Sequence, residues 1–223
     1  MNSYIMAKDR DIYTISIVLL GNFNPVILTP SWLAIKGLIR ETEAETARIE
    51  IIHPDITRFE VDWFNIQATN NRIEFKTKRE SHFSALRDLI VSIFSILKET
   101  PIQSFGINHF SHFSFRDTKE YTNFGYWLSP VQQFEGVLNE PKVLSVQYLE
   151  TNTKQEDGLV RIAITPSNLI KDNKSVLFNC NHHFENPKGT DTKQIIALLN
   201  EKWDYSIQKI IDLNNSIWDK AKF

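Results

Sequence analysis

The sequence predicts an α+β fold, a single domain over residues 1–223 in which one antiparallel β-sheet carries two long helices packed on one face. Three observations predict it. Two stretches, at about 81–99 and 191–219, repeat apolar residues at spacings of three and four and so present one stripe each. Before and between them run segments of period two, the pattern of half-buried strands. The order of several strands followed by a long helix also occurs twice. The helices start about 110 residues apart, so halves of about 1–116 and 117–223 look like an internal duplication.

In the first half, residues 12–20 alternate and then run apolar, which predicts a strand, and Gly21-Asn22-Phe23-Asn24-Pro25 predicts a turn. Thr29-Pro30-Ser31-Trp32 starts a helix, because proline is tolerated in a first turn where its missing N–H costs nothing. Residues 41–45 predict a solvated loop or helix end. Strands follow at 47–53, 57–68 and 72–78. In the second of these Phe59, Val61 and Trp63 share a face, but Phe64 and Ile66 switch register, which predicts a β-bulge near Trp63. Asn70-Asn71 suits a two-residue hairpin, since asparagine tolerates positive φ.

The helix over 81–99 has Ser81 as its expected N-cap, with Phe83, Leu86, Ile90, Ile93 and Leu97 on its stripe; Pro101 ends it. Beyond the proline, Phe105, Ile107, Phe113 and Phe115 fall on one face of a long strand. The helix requires such a partner. Burying five apolar side chains stabilises by roughly 7–15 kcal/mol gross, less than the cost of ordering about twenty residues.

In the second half, Tyr121, Phe124 and Leu128 predict a helix that Pro130 interrupts, with a further turn carrying Phe134 and Leu138. Strand faces are expected at Leu144, Val146 and Tyr148, at Val160, Ile162 and Ile164, and at Val176, Phe178 and Cys180. Residues 151–158 predict a polar, exposed hairpin loop. Gly189-Thr190-Asp191 opens the longest helix, with Ile196, Leu199, Trp203, Ile207, Ile210, Leu213 and Ile217 along one stripe.

Hydrophobic content of 42% and charged content of 23% are those of an ordinary globular chain, and 7 glycines with 8 prolines leave no long flexible linker. A net charge of −2 argues against a protein built mainly to coat nucleic acid. The single Cys180 excludes an internal disulfide and a cysteine-rich zinc site and suits a reducing cytoplasm. The start carries no signal-peptide pattern, and no apolar stretch approaches membrane-spanning length. The expectation is a cytoplasmic protein with no membrane contact.

The order of meander, helix and strand, with Gly106-Ile107-Asn108 in the apolar strand, resembles a sporadically distributed family of uncharacterised bacterial proteins. The resemblance implies a bacterial origin and an accessory role beside mobile or defence-type genes, such as a toxin–antitoxin-type system. It implies no chemistry and no site residues.

Three groups of residues are candidates for chemistry. His109, Cys180 and His182 would converge on one side of a sheet if their strands were neighbours in the right register, and could then hold zinc or a transition metal. His112 and His183 would point to the opposite face, and the spacing matches no compact metal motif. Pro54-Asp55 followed by Glu74-Phe75-Lys76 resembles the pattern of metal-dependent nucleases, in which Asp55 and Glu74 would hold Mg²⁺ and Lys76 would stabilise charge on phosphate. The bland alternative is a half-buried strand with a solvated side. Arg72, Lys76, Lys78 and Arg79 around Phe75 would form a basic patch, diluted by Glu74 and Glu80, and Phe75 reads as core by alternation.

The leading reading is therefore a non-enzymatic binding or accessory protein that acts through a macromolecular partner, a protein or a second copy of itself, with no cofactor. Nucleic acid is the less favoured partner. Trp32 and Trp127 lie in poorly periodic segments and are the expected partner contacts, whereas Trp63 and Trp203 are expected in the core. The alternatives are a metal-dependent nuclease or phosphodiesterase using Asp55, Glu74 and Lys76, and a small-ligand binder with a pocket lined by Phe, Tyr and His.

Overall fold

Strands make up the centre of the molecule, and a computed structural model describes them within residues 8–134, 136–151, 158–186 and 189–221. Among the described residues these are β1 (Ile12–Gly21), β2 (Arg48–His53), β3 (Ile56–Glu60), β4 (Asn65–Thr69), β5 (Arg72–Thr77), β6 (Ile102–Ser114), β7 (Val146–Leu149), β8 (Leu159–Pro166) and β9 (Ser175–Glu185). They form one sheet in the order β2-β3-β4-β5-β1-β6-β9-β8-β7, every neighbouring pair antiparallel. The helices are α1 (Pro30–Ile35), α2 (Glu41–Glu45), α3 (Phe83–Ile96), α4 (Thr118–Leu128) and α5 (Thr192–Lys220). The fold is α+β, as the strand and helix periods predict. No helix among the described residues is long and apolar enough to cross a membrane.

β1 and β6 are central because both are long and apolar on alternate residues. Ile15, Ile17 and Leu19 lie directly beside His109, Ile107 and Phe105, and all six are fully buried. Their cluster takes in Phe75, Leu86, Ile90 and Ile93, and from α5 Leu199 and Trp203. A second cluster gathers Phe113, Phe115, Phe124, Ile162, Phe178 and Cys180 under α4 and the end of α5. α3 and α5 touch each other and both contribute to the first cluster. Ile90 is fully buried, so Ile90→Ala should cost about 2–5 kcal/mol in chemical denaturation. A loss under about 1 kcal/mol would show the α3 stripe free of packing.

Several local expectations are corrected. The register switch near Trp63 is a tight turn and not a bulge: the Val61 N–H donates to the Phe64 carbonyl (2.9 Å), so 57–68 is the hairpin β3–β4. Phe59 and Ile66 pair across it, which is why the apolar register changes there. Ser81 does not cap α3. It lies in a 3₁₀ turn over Glu80–His82, its hydroxyl bonded to His82 Nδ1 (3.0 Å), and the helix starts at Phe83. Residues 41–45, expected as a solvated loop or helix end, form the short helix α2, none of it buried; Glu43 Oε2 accepts from the Arg40 N–H (2.8 Å). Phe134 and Leu138 stay exposed, and Leu144 lies outside β7.

Asn70-Asn71 does join β4 to β5, and helices do start at Thr29-Pro30 and Asp191; Thr29 caps α1 through the Trp32 N–H (3.2 Å), and the Asp191 carboxylate caps α5 through the Lys193 N–H (2.9 Å). Of the polar loop expected at 151–158, residues 152–157 lie outside the described ones.

Candidate functional site

The sheet register decides which candidate residues meet. β6 and β9 are neighbours, with His109 opposite Cys180 and His182 opposite Ile107, so His109, Cys180 and His182 share one buried side of the sheet. His112 and His183 fall on the other side, because strand side chains alternate. The Tyr13 hydroxyl lies 2.7 Å from His109 Nδ1, and Ser206 Oγ of α5 lies 3.0 Å from His182 Nδ1.

Burial sets the chemistry of this group. It lowers His109 to about 3, with the neighbouring His182 adding to the effect, and it raises the Cys180 thiol to about 12. His109 is therefore neutral and Cys180 a protonated thiol at neutral pH, neither poised as a base nor as a nucleophile. Along β6, β9 and α5, His109, Ser111, His182, Ser206 and Asn214 are buried polar residues that belong to neither apolar cluster. No group of three or more His, Cys, Asp or Glu among the described residues is placed to hold a metal ion.

Asp55, Glu74 and Lys76 are spread out. Asp55 is exposed in the β2–β3 turn, where its carboxylate lies 3.5 Å from His53 Nδ1. Glu74 and Lys76 share a face of β5, as alternation requires, but β5 is two strands away from β3 in the sheet. Arg72 binds Glu74 at 2.7 Å. The basic patch is also reorganised: Phe75 is fully buried on the helix-contacting side, Arg72 is paired with Glu74, and Arg79 makes two bonds to Asp62.

The tryptophans divide differently. Trp203 is fully buried. Trp63 is only partly buried, its Nε1 donating to Glu43 Oε1 (2.9 Å) and its ring stacked on His82. Trp32 packs partly against the core and lines a shallow groove with Val26, Ile35 and Ile96. Trp127 is 41% exposed on α4, close to β7, whose Tyr148 hydroxyl donates to the Leu128 carbonyl (3.3 Å). The pocket under α4, lined by Tyr121, Phe124, Leu128, Val143 and Ile164, has a cavity volume of about 30 Å³, room for a water or two and not for a metabolite.

Two features escaped the sequence reading. The first is the sheet edge at β2, where all six residues are exposed and Ile49, Ile51 and Ile52 are 52%, 41% and 42% accessible. Among the described residues β2 pairs with β3 alone, and the 3₁₀ turn Pro25–Ile27, which leads into the Trp32 groove, packs beside it. Arg-Ile-Glu-Ile-Ile-His carries the signal of a strand but nothing in it tells an edge from an interior position. The second is a row of polar side chains across the sheet centre, whose members are far apart in the chain. Comparisons with protein-family models and with curated protein sequences give no match.

Proposed function

We propose that this protein is a non-enzymatic, cytoplasmic binding protein whose partner is another protein, held by strand addition at β2. The observation that carries this reading is the exposed edge itself. An end strand offers a row of free backbone donors and acceptors, and natural proteins normally blunt such edges with charge, proline or a cover. This edge carries the Arg48 and Glu50 charges and a register irregularity between Ile49 and Ile51, yet Ile49, Ile51 and Ile52 still stand exposed on it, beside the groove of Val26, Trp32, Ile35 and Ile96. Main-chain bonds would supply affinity, and the isoleucines with Trp32 would supply the apolar anchors. Trp127 offers a second contact at the opposite edge. An accessory role beside defence-type genes fits such a binder, and the engagement of Glu74 by Arg72, with Asp55 in a separate turn, favours it over the nuclease.

The test is affinity capture from the native cell with wild type and with an Ile49→Lys/Ile52→Lys variant of unchanged melting temperature. Wild type is expected to recover a stoichiometric protein, either another chain or an untagged copy of this one, and the variant to lose it. Equal recovery by both, or Mg²⁺-dependent cleavage of nucleic acid that Glu74→Ala abolishes, would sink the reading.

For the body behind this edge, we infer that α3 and α5 lie on one face of the sheet and that the halves 1–116 and 117–223 are duplicates. The shared cluster of Leu86, Ile90, Leu199 and Trp203 with Ile15, Ile17 and Phe75 supports the first, and the recurrence of strands followed by a helix supports the second. An experimental structure with the two helices on opposite faces would refute the first.

A further inference from the structure

On the side of the sheet away from Ile17, Ile107 and Phe75, one register row runs Lys76–Ser16–Asn108–Asn181–Arg161 across β5, β1, β6, β9 and β8. Its middle is pre-ordered. Asn181 Nδ2 donates to Asn108 Oδ1 (2.7 Å), and Asn108 Nδ2 donates to Ser16 Oγ (3.2 Å). The Asn181 amide lies over Gly106, where an added Cβ would stand 2.7 Å from its nitrogen and displace it. In the adjoining row, Phe110 is half-buried opposite Asn179, and the Lys76 ammonium sits 5.0 Å from its ring centroid.

Charge on this face is distributed unevenly. Arg72 is paired with Glu74, Arg58 with Glu50, and Arg48 with Glu60. Lys76 and Arg161, at the two ends of the row, have no acidic partner among the described residues. Four strand spacings separate them, about 19 Å, on the scale of a few nucleotides of extended strand. We propose that this row is a binding site for single-stranded nucleic acid, with Lys76 and Arg161 on phosphates, Phe110 under a base, and the amides of Asn108, Asn179 and Asn181 on base edges.

The composition of the face favours this ligand over a protein. Protein interfaces have apolar centres, whereas here the centre is a ladder of amides with one aromatic ring, flanked by two cations that have no acidic partner among the described residues. A sheet face inserts nothing into a duplex groove, and Phe110 can meet only a base that is already unstacked. Two phosphate contacts make a weak site, with a Kd of about 1–100 μM near physiological salt.

The site is independent of the β2 edge, and its test is independent too. Fluorescence anisotropy with 5′-fluorescein-labelled RNA and DNA 12-mers of mixed sequence, each as single strand and as duplex, reads the binding directly. Binding of either single strand, at least tenfold tighter than its duplex, is the expected result, and the RNA and DNA arms report whether the 2′-hydroxyl contributes. The salt slope for single strands should be about −1.4 in log–log form, a loss of about sevenfold between 50 and 200 mM salt. Lys76→Glu/Arg161→Glu should weaken binding at least tenfold and flatten that slope, and Phe110→Ala should weaken it about five- to 150-fold.

Each variant is first shown by circular dichroism to melt as wild type does. The Ile49→Lys/Ile52→Lys variant, which tests the edge, should bind the oligomers normally. No binding of either single strand at 100 μM protein, unchanged affinity in the folded charge-reversed variant, or equal displacement of RNA by polyglutamate would overturn the proposal.

Discussion

Trp203→Ala is expected to cost about 3–5 kcal/mol of folding stability, a large share of the roughly 5–15 kcal/mol available to a domain. Trp203 is fully buried in the cluster that joins α5 to α3 and the sheet, with the Arg87 guanidinium 5.9 Å from its ring. Truncation would leave a cavity bounded by three elements, which relax only in part. Its Nε1 has no hydrogen-bond partner among the described residues, so Trp203→Phe forfeits no bond and should cost less than half as much. Urea denaturation of both variants checks this. An alanine variant within about 1 kcal/mol of wild type would mean that α5 is not anchored through this residue.

Acid should destabilise the protein through His109. Burial lowers its folded-state value to about 3, while the unfolded chain titrates near the ordinary value of 6.5. Between these limits the unfolded state binds the extra proton, so stability rises with pH and is lost as pH falls from 6.5 towards 3. The slope from this one group approaches about 1.4 kcal/mol per pH unit and sums to about 5 kcal/mol over the window. Tyr13→Phe/His109→Leu removes both partners of the buried 2.7 Å contact together and costs at pH 7 only the bond between the Tyr13 hydroxyl and Arg10, about 1 kcal/mol. Its denaturation curves from pH 7 to 4 should be shallower than those of wild type by one proton. Parallel curves would place the acid sensitivity in other groups.

Much of the fold was legible because period and punctuation are local. The alternation of Ile15, Ile17 and Leu19, the stripes on α3 and α5, the start of α5 at Asp191 and the Asn70-Asn71 turn all follow from residues within one element of each other. The errors were local as well. A four-residue turn at Val61–Phe64 and a β-bulge produce the same change of apolar phase, so periodicity could not separate them. The site was far less legible.

Whether His109 meets Cys180 depends on the pairing of β6 with β9, residues about seventy apart in the chain, and no local pattern fixes such a register. The row from Lys76 to Arg161 draws one residue from each of five strands, each of which reads by itself as an ordinary solvated position. Edge status is equally non-local. Arg48 to His53 would give the same sequence signal in the middle of a sheet.

Hydrogen–deuterium exchange on the captured complex tests the central claim, partner binding by strand addition at β2, most directly. Amides within 48–53 should exchange rapidly in the free protein and gain protection in the complex, while those of the central strands β1 and β6 do not change. Unchanged exchange over 48–53 in a stoichiometric complex, with protection gained elsewhere, would contradict it.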